Sequence, residues 1–265
     1  MNGVRHFLLA LQFFTRVPVT GPLAAWVGFS PAMLRASAAH FPGVGWLVGA
    51  VGAGVFYLAS AGLAGLAGAL VAAALSTIAT VLMTGAFHED GLADVADGLG
   101  GSADRTRALE IMKDSRIGAF GAIALVLALG LKAVLLAALA EEGALRVVVA
   151  LVCAHVLSRL APLFLIRWLP YVGDENAASK SKPLADAIDN GAMRVGVAWS
   201  LPAMAWLVMT FGIARGLAPV LLGAMAALFM ARLLHRRLRG FTGDGLGATQ
   251  QVCELAIYLA LAWHT

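Results

Sequence analysis

The sequence predicts an all-α, polytopic membrane helix bundle with about seven transmembrane helices. Of the 265 residues, 60% are hydrophobic and only 13% are charged, whereas a soluble domain carries about 25% charged residues. Four stretches, 43–60, 64–83, 119–140 and 216–231, have few or no charges over roughly the 20 residues that a membrane-crossing helix needs. A chain with so few charges cannot cover its own surface in water, so we expect lipid to surround most of it.

Each predicted element follows from the alternation of apolar and polar segments. Residues 4–19 are too short to cross a bilayer and contain Arg5 and Arg16, so we predict an interfacial or re-entrant segment. Three prolines then break the chain into a loop. The predicted spans are, in order, 41–61, 64–87, 119–140, 146–169, 195–213, 216–234 and a final helix over 250–263. We expect them to form a single domain over residues 1–265.

Basic residues are distributed unevenly between the two sets of predicted loops. Arginine and lysine concentrate in segments 1–40, 88–118, 170–194 and 235–249, whereas the loops on the other side hold Arg146 and Arg215. Because cytoplasmic loops carry the excess of these residues, we predict that the four segments are cytoplasmic. The net charge of +4 is explained by these basic loops, so it does not indicate a nucleic-acid partner.

Two charged residues, Lys132 and Arg159, fall inside predicted spans, and His155 lies one helical turn before Arg159. Charges inside a membrane are costly, so they usually face a partner or a cavity. Two roles stay open from the sequence: an ion pair in the interior of the bundle, or contact with a substrate.

The most informative polar segment begins where the second predicted span ends. Four of the 15 acidic residues fall within nine positions there, namely Glu89, Asp90, Asp94 and Asp97. On a helix, the three aspartates project from one face, where their like charges repel. Mg²⁺ typically combines a few carboxylates with substrate phosphates. We therefore predict a magnesium site for a phosphorylated substrate, with a solvated acidic loop as the alternative.

A second polar cluster follows at 110–118. Glu110 and Asp114 lie four residues apart, and Arg116 is suited to contact phosphate oxygens. The alternative interpretation is an ordinary amphipathic helix with ion pairs on its surface.

A third polar stretch, 239–250, places four glycines in eight positions. Such a run can expose backbone N–H groups to an anion, although a flexible turn explains the pattern equally well. It is not a P-loop, because no Gly-Lys-Ser/Thr follows. Glu254 lies one helical turn after Gln250 and is interpreted as reaching the same face, with a buried structural acid as the alternative.

Several motifs, taken in order, resemble the cobalamin synthase family, also called the adenosylcobinamide-GDP ribazoletransferases. The segments that carry the resemblance are 14–18 (FTRVP), 41–45 (FPGVG), 85–98 (GAFHEDGLADVADG), 112–118 (MKDSRIG) and 242–248 (TGDGLGA). Their order and spacing hold along nearly the whole chain. The resemblance is weakest over 170–194, where 179–185 (SKSKPLA) is similar to one variant of the family's loop.

The resemblance implies a Mg²⁺-dependent enzyme of the bacterial inner membrane that acts on the cytoplasmic side. The family transfers adenosylcobinamide phosphate from its GDP-activated form to α-ribazole or α-ribazole 5′-phosphate and releases GMP. It implies catalytic and metal-binding roles for Asp90, Asp94 and Asp97, with Glu89 or Asp114 completing or orienting the metal shell. Substrate contacts are expected from Lys113, Arg116, Thr242, Gly243, Asp244, Gly245 and Glu254. The corrinoid is expected near the glycine-rich stretch, and the oligomeric state stays open.

Two other classes of protein fit this sequence less well. CDP-alcohol phosphotransferases also set spaced aspartates on membrane helices, but their pattern has Ala-Arg after Asp-Gly, whereas here Ala93 is followed by Asp94. A transporter places its acids near the bilayer midplane on broken helices, whereas the acids here cluster at one predicted membrane face.

Overall fold

The computed structural model describes residues 2–173 and 188–263, and these residues are almost entirely helical. One isolated bridge joins Tyr171 to Phe241. The helices are α1 (Asn2–Phe14), α2 (Gly21–Val27), α3 (Pro31–Ser37), α4 (Phe41–Gly62), α5 (Gly65–Thr84), α6 (Phe87–Gly101), α7 (Arg105–Met112), α8 (Ala119–Ala140), α9 (Ala144–Ser158), α10 (Ala161–Trp168), α11 (Asn190–Phe211), α12 (Ile213–Leu238) and α13 (Gly243–Ala262), with a 3-10 turn (Ala38–His40) before α4.

Within the described residues, six helical segments are long and apolar enough to cross a membrane: α3 with α4, α5, α8, α9 with α10, α11 and α12. This confirms six of the predicted spans, with ends that differ by a few residues. Helix α8 has the predicted bounds. The predicted span 146–169 is two helices, because α9 ends at Ser158 and α10 begins at Ala161.

The predicted seventh span corresponds to α13, which is long enough to cross a membrane but is not among the six because it is more polar. At one end, a methyl group added at Gly245 would lie 3.0 Å from Leu234 of α12. At the other end, Arg215 Nε donates to the Leu261 carbonyl oxygen at 3.1 Å. Helix α13 therefore runs along the whole of α12. Because α6, α8, α9, α10 and α12 all pack against it, its polar side chains are shielded from lipid.

The polar segments that the sequence predicts on one membrane face do meet at one end of the bundle. Arg237 of α12 donates to the carbonyl oxygens of Leu99 at 3.0 Å and Ser102 at 2.6 Å, at the end of α6. Arg105 of α7 donates to the Leu238 carbonyl oxygen at 2.6 Å. The family-like loop 179–185 lies outside the described residues.

Helices α4 and α9 approach closely enough for their backbones to touch. A methyl group added at Gly45 would collide with the His155 carbonyl oxygen, and one added at Gly49 would lie 2.7 Å from Val152 Cα. Small residues four apart are the usual device for close helix pairing in membranes. This contact fixes the position of His155 in the interior of the bundle.

Candidate active site

Helix α6 begins after a tight turn at the end of α5. Gly85 and Ala86 both have positive φ, 67° and 58°, and Ala86 is one of two non-glycine residues with positive φ in the described chain. A side chain in this region is strained, so the surrounding packing must hold it there. The turn redirects the chain so that α6 lies across the start of α13.

The acidic cluster consists of Asp90 and Asp94 of α6 and Asp244 of α13. A methyl group added at Gly91 would lie 2.7 Å from the Asp244 carbonyl oxygen, so the two helices touch at this point. Asp90 is exposed, whereas Asp94 and Asp244 are half-buried. Sequence reasoning assigned Asp244 to substrate binding, and the structure adds it to the aspartates of α6.

The carboxylates of this cluster disfavour one another's ionisation. Burial, then Asp244 and Asp90, raise the pKa of Asp94 from 3.8 to about 7. Burial and Asp90 raise the pKa of Asp244 to about 6. Desolvation and like charges both favour the protonated acid, so the cluster has a net need for positive charge.

No group of three or more His, Cys, Asp or Glu side chains in the described part of the chain is arranged to hold a metal ion by itself. The cluster is therefore not a cage made of protein ligands alone. Mg²⁺ usually binds through one or two carboxylates together with waters and substrate phosphates. The raised pKa values of Asp94 and Asp244 fit a cation of this kind.

Asp97 has a different environment from the other two aspartates of α6. It is buried, and its carboxylate accepts the Gly118 N–H at 2.7 Å and the Gly121 N–H at 2.8 Å. These donors belong to the start of α8, so Asp97 caps that helix and ties it to α6. The sequence predicts a metal ligand here, and the structure assigns both oxygens to backbone donors that lie 21 and 24 residues away.

Glu89 lies on another face of α6 from Asp90, because consecutive helical residues are rotated by about 100°. It is buried, and Gln251 Nε2 donates to Glu89 Oε1 at 3.0 Å. Its second oxygen, Oε2, has no hydrogen-bond partner among the described residues. The structure therefore does not bring Glu89 into the acidic cluster, where the sequence predicts it.

The loop after α7 lies beside α6, since a methyl group added at Gly118 would be 2.5 Å from the Asp97 carboxylate. Within it, Arg116 donates to Asp114 through two bonds, of 2.9 and 2.6 Å. This hydrogen bonding lowers the pKa of Asp114 to about 2. Asp114 is thus paired with Arg116. Lys113 is exposed at the end of α7.

The glycine-rich stretch is the beginning of α13 and not a flexible turn. Thr242 caps the helix, and its Oγ1 accepts the Gly245 N–H at 3.0 Å. Residues 245–251 are all buried against neighbouring helices. Beside Gly243 and Gly247 lies a cavity of about 30 Å³ with phenylalanine walls. That volume can hold a water molecule but not a substrate.

Glu254 is the centre of a buried polar network deep in the bundle. Its Oε1 lies 2.7 Å from Lys132 Nζ, and the Tyr258 hydroxyl donates to it at 3.2 Å. Its Oε2 accepts from Gln250 at 2.6 Å and lies 3.3 Å from His155 Nδ1. These contacts favour the alternative of a buried structural acid, and the substrate-binding role of Glu254 stays a prediction.

The sequence indicates an interior role for Lys132, Arg159 and His155, but it does not predict that Gln250 and Tyr258 join them. Arg159 donates to the His155 carbonyl oxygen at 2.9 Å, so the interior pairing considered for these two residues is present. Gln250, Glu254 and Tyr258 occur at four-residue spacing along α13. That spacing is a signal for a polar stripe buried in the bundle.

The fold and the site define a multi-pass membrane protein with a carboxylate cluster at one membrane face. A family model described as cobalamin-5-phosphate synthase matches residues 6–262. The chain therefore belongs to the cobalamin-5-phosphate synthase family, and the resemblance found in its motifs is confirmed.

Relatives of this chain match over nearly their full lengths. One from Albidiferax ferrireducens is 58% identical and covers 98% of both chains. One from Polaromonas naphthalenivorans is 54% identical over 99% of both, and one from Leptothrix cholodnii is 50% identical over 98% of this chain and 95% of its own. All three are named adenosylcobinamide-GDP ribazoletransferase. No solved structure matches the chain.

Proposed function

We propose that this chain is an adenosylcobinamide-GDP ribazoletransferase. It joins adenosylcobinamide phosphate, taken from the GDP-activated corrinoid, to α-ribazole or α-ribazole 5′-phosphate, and GMP leaves. Full-length identity of 58% to a relative of that name carries the proposal. The grouping of Asp90, Asp94 and Asp244 at one membrane face supports it, because the reaction takes place on a diphosphate.

The main barrier to this reaction is electrostatic. A ribose hydroxyl oxygen attacks the phosphorus bonded to the cobinamide and loses its proton to solvent, and the bond from that phosphorus to the GMP oxygen breaks. Positioning and charge stabilisation dominate such phosphoryl transfers. We assign Asp90, Asp94 and Asp244 as the residues that hold Mg²⁺ together with the diphosphate. Bound there, Mg²⁺ supplies the positive charge that offsets the negative charge growing on the leaving phosphate.

Other residues position this cluster or the substrate around it. Thr242 caps α13, and the first N–H groups of a helix have no partners within that helix and favour a phosphate. Asp97 holds α6 against α8, which keeps Asp94 in place. Lys113 and Arg116 lie on the loop beside α6, and we assign them to phosphate oxygens of the incoming diphosphate.

We further propose that the protein lies in the bacterial inner membrane with the acidic cluster facing the cytoplasm. The excess of basic residues in 88–118 and 235–249 supports this orientation. In cells, a cysteine introduced at exposed Ser115 should resist a membrane-impermeant maleimide added from the periplasm. A cysteine at Glu141, on the opposite end, should react. The reverse pattern would invert the orientation.

The function is tested with purified protein in detergent, adenosylcobinamide-GDP, α-ribazole and MgCl₂. We expect GMP to be released in step with formation of the joined corrinoid, and EDTA to stop both. Leaving out α-ribazole should prevent GMP release, which separates transfer from simple hydrolysis. Folded protein that releases no GMP with either α-ribazole or its 5′-phosphate would refute the proposal.

A further inference from the structure

A larger cavity opens at the same end of the bundle as the acidic cluster. It has a volume of about 480 Å³ and lies between α1, the segment from α3 to the 3-10 turn, and the start of α11. Small-molecule sites usually occupy roughly 300–1,000 Å³. The cavity beside the glycine-rich start of α13, at about 30 Å³, is too small for a corrinoid. The expected corrinoid site near that stretch stays a prediction.

Alanine and glycine make up most of the wall of this larger cavity. Its small residues are Gly3, Ala32, Ala36, Ala38, Ala39, Gly191 and Ala192. A wall of this kind lets a broad, flat ligand approach the backbone closely. Polar groups are also present, because His6, Arg35, His40 and Asp189 line the same space.

The two histidines of the cavity differ in what their ring nitrogens can do. The Trp199 indole N–H donates to His40 Nδ1 at 3.1 Å, so the other nitrogen of neutral His40 carries the proton. The ring of His6 lies 6.4 Å from that of His40 and makes no hydrogen bond among the described residues. Burial and Arg5 lower the pKa of His6, which keeps it neutral at pH 7. Neutral imidazole is the metal-binding form.

We propose that this cavity binds the corrin macrocycle and that the His6 imidazole ligates its cobalt on the face opposite the adenosyl group. The proposal rests on the proposed function, which supplies the corrinoid. The step is a ligand exchange: a nitrogen lone pair of His6 replaces a water on cobalt. No proton is transferred and the oxidation state of cobalt is unchanged.

Helix α1 connects the cavity to the start of α6. His6 and Phe14 lie eight residues apart on α1, about 12 Å along the helix axis. The Phe14 ring stacks on that of His88, with centroids 6.0 Å apart. Since His88 and Asp90 are two residues apart, they lie about 200° apart around α6, and α1 contacts the face of α6 opposite the acidic cluster. A corrinoid in the cavity therefore reaches the cluster only through a side arm that extends past the start of α6.

The test uses adenosylcobinamide without GDP, titrated into the purified protein in detergent and followed by visible absorption. Exchange of cobalt-bound water for imidazole should convert the yellow spectrum to a red one. His6→Ala should abolish this change and weaken corrinoid binding by about tenfold or more, the scale expected for a lost metal-site partner. His235→Ala, an exposed histidine on α12, is the matched control and should behave as wild type.

A second variant keeps the proposal testable if His6→Ala folds poorly. Ala32→Trp fills the exposed wall of the cavity and should block binding while His6 is retained. Wild-type protein that binds corrinoid without a colour change, or His6→Ala that keeps the change, would overturn the ligation. Competition by GMP for the same site would assign the cavity to the guanosine half and overturn the proposal.

Failure of this inference can be distinguished from failure of the proposed function. Normal GMP release by His6→Ala, with an unaltered KM for the activated corrinoid, would refute the cavity assignment and leave the transferase function intact. A full colour change in a protein that releases no GMP would refute the function and leave the cavity assignment intact.

Discussion

Helices α6 and α13 contribute to two groups of polar residues whose acidic side chains have opposite surroundings: like charges in one group and an opposite charge in the other. In the acidic cluster, Asp94 and Asp244 are half-buried beside like charges that raise their pKa values. Deeper in the bundle, Glu254 is almost fully buried but lies 2.7 Å from Lys132. Unbalanced charge at the membrane face is suited to binding a ligand. Paired charge in the interior is suited to holding helices together, because the Glu254 carboxylate of α13 and the Lys132 ammonium of α8 neutralise each other.

The largest expected effect concerns the buried network. Glu254→Ala leaves the Lys132 ammonium in the bundle without its carboxylate. Breaking a buried pair on one side typically costs about 3–5 kcal/mol of stability. We therefore expect a large fall in the unfolding temperature measured in detergent.

A double variant sharpens this prediction. Glu254→Gln with Lys132→Met removes both charges and should recover much of the lost stability, since replacing a whole buried pair is often nearly neutral. If Glu254→Ala were as stable as wild type but inactive, Glu254 would act on the substrate and the comparison between the two regions would fail.

The acidic cluster should show the opposite pattern. Asp94→Asn keeps the size of the side chain and removes a charge from a repulsive group, so its stability without metal should be unchanged or slightly higher. By analogy with loss of one group that stabilises a transition state, we expect the rate of GMP release to fall on the order of 10²-fold. The measurement is activity against Mg²⁺ concentration, alongside thermal unfolding.

Glu110→Gln provides the matched control for this variant, because Glu110 is an exposed acid paired with Arg107 at the same end of the bundle. It should keep wild-type activity. Normal turnover of Asp94→Asn with an unaltered Mg²⁺ dependence would mean that the cluster does not hold the metal.

The parts of the fold that depend on local pattern could be predicted from the sequence. Long apolar runs mark the six spans, and the spacing of Asp90, Asp94 and Asp97 marks a helix with acids on one face. Contacts between distant residues could not be predicted in this way. Gln251 lies 162 residues from Glu89, which it binds, and no local pattern reports that pairing. The same holds for Asp244, which joins the cluster only because α13 crosses α6 at Gly91.

Asp97 has features of both the acidic cluster and the buried network. It belongs to the acidic helix in sequence, but its carboxylate accepts two backbone N–H groups, as an interior residue would. In Asp97→Asn the amide NH₂ faces one of those donors, so a buried hydrogen bond is lost at a cost of about 1–3 kcal/mol. We expect a lower unfolding temperature with little change in the Mg²⁺ requirement of the folded protein. A stable variant that needs far more Mg²⁺ would return Asp97 to the metal ligands.

The smallest expected effect is the pH dependence of stability without metal. Asp94 is half-exposed, so solvent weakens its coupling to stability. Its pKa is raised from 3.8 to about 7, and that of Asp244 to about 6. Between about pH 4 and 7 these two carboxyl groups therefore keep protons in the folded protein that they have lost in the unfolded chain, so their contribution to the free energy of unfolding falls as the pH rises. His6 and His88 act in the opposite direction, because burial lowers their pKa values and the unfolded chain binds their protons first. Both histidines are present in wild type and in Asp94→Asn, so their effect cancels in the difference between the two proteins. In EDTA, the unfolding temperature of wild type minus that of Asp94→Asn should decline from about pH 5 to pH 8, and Mg²⁺ should raise that of wild type more at the upper end than at the lower. A difference that is flat in EDTA, with an equal effect of Mg²⁺ at both ends of the range, would show that these carboxylates do not share an uncompensated charge, and the contrast between the two regions would disappear.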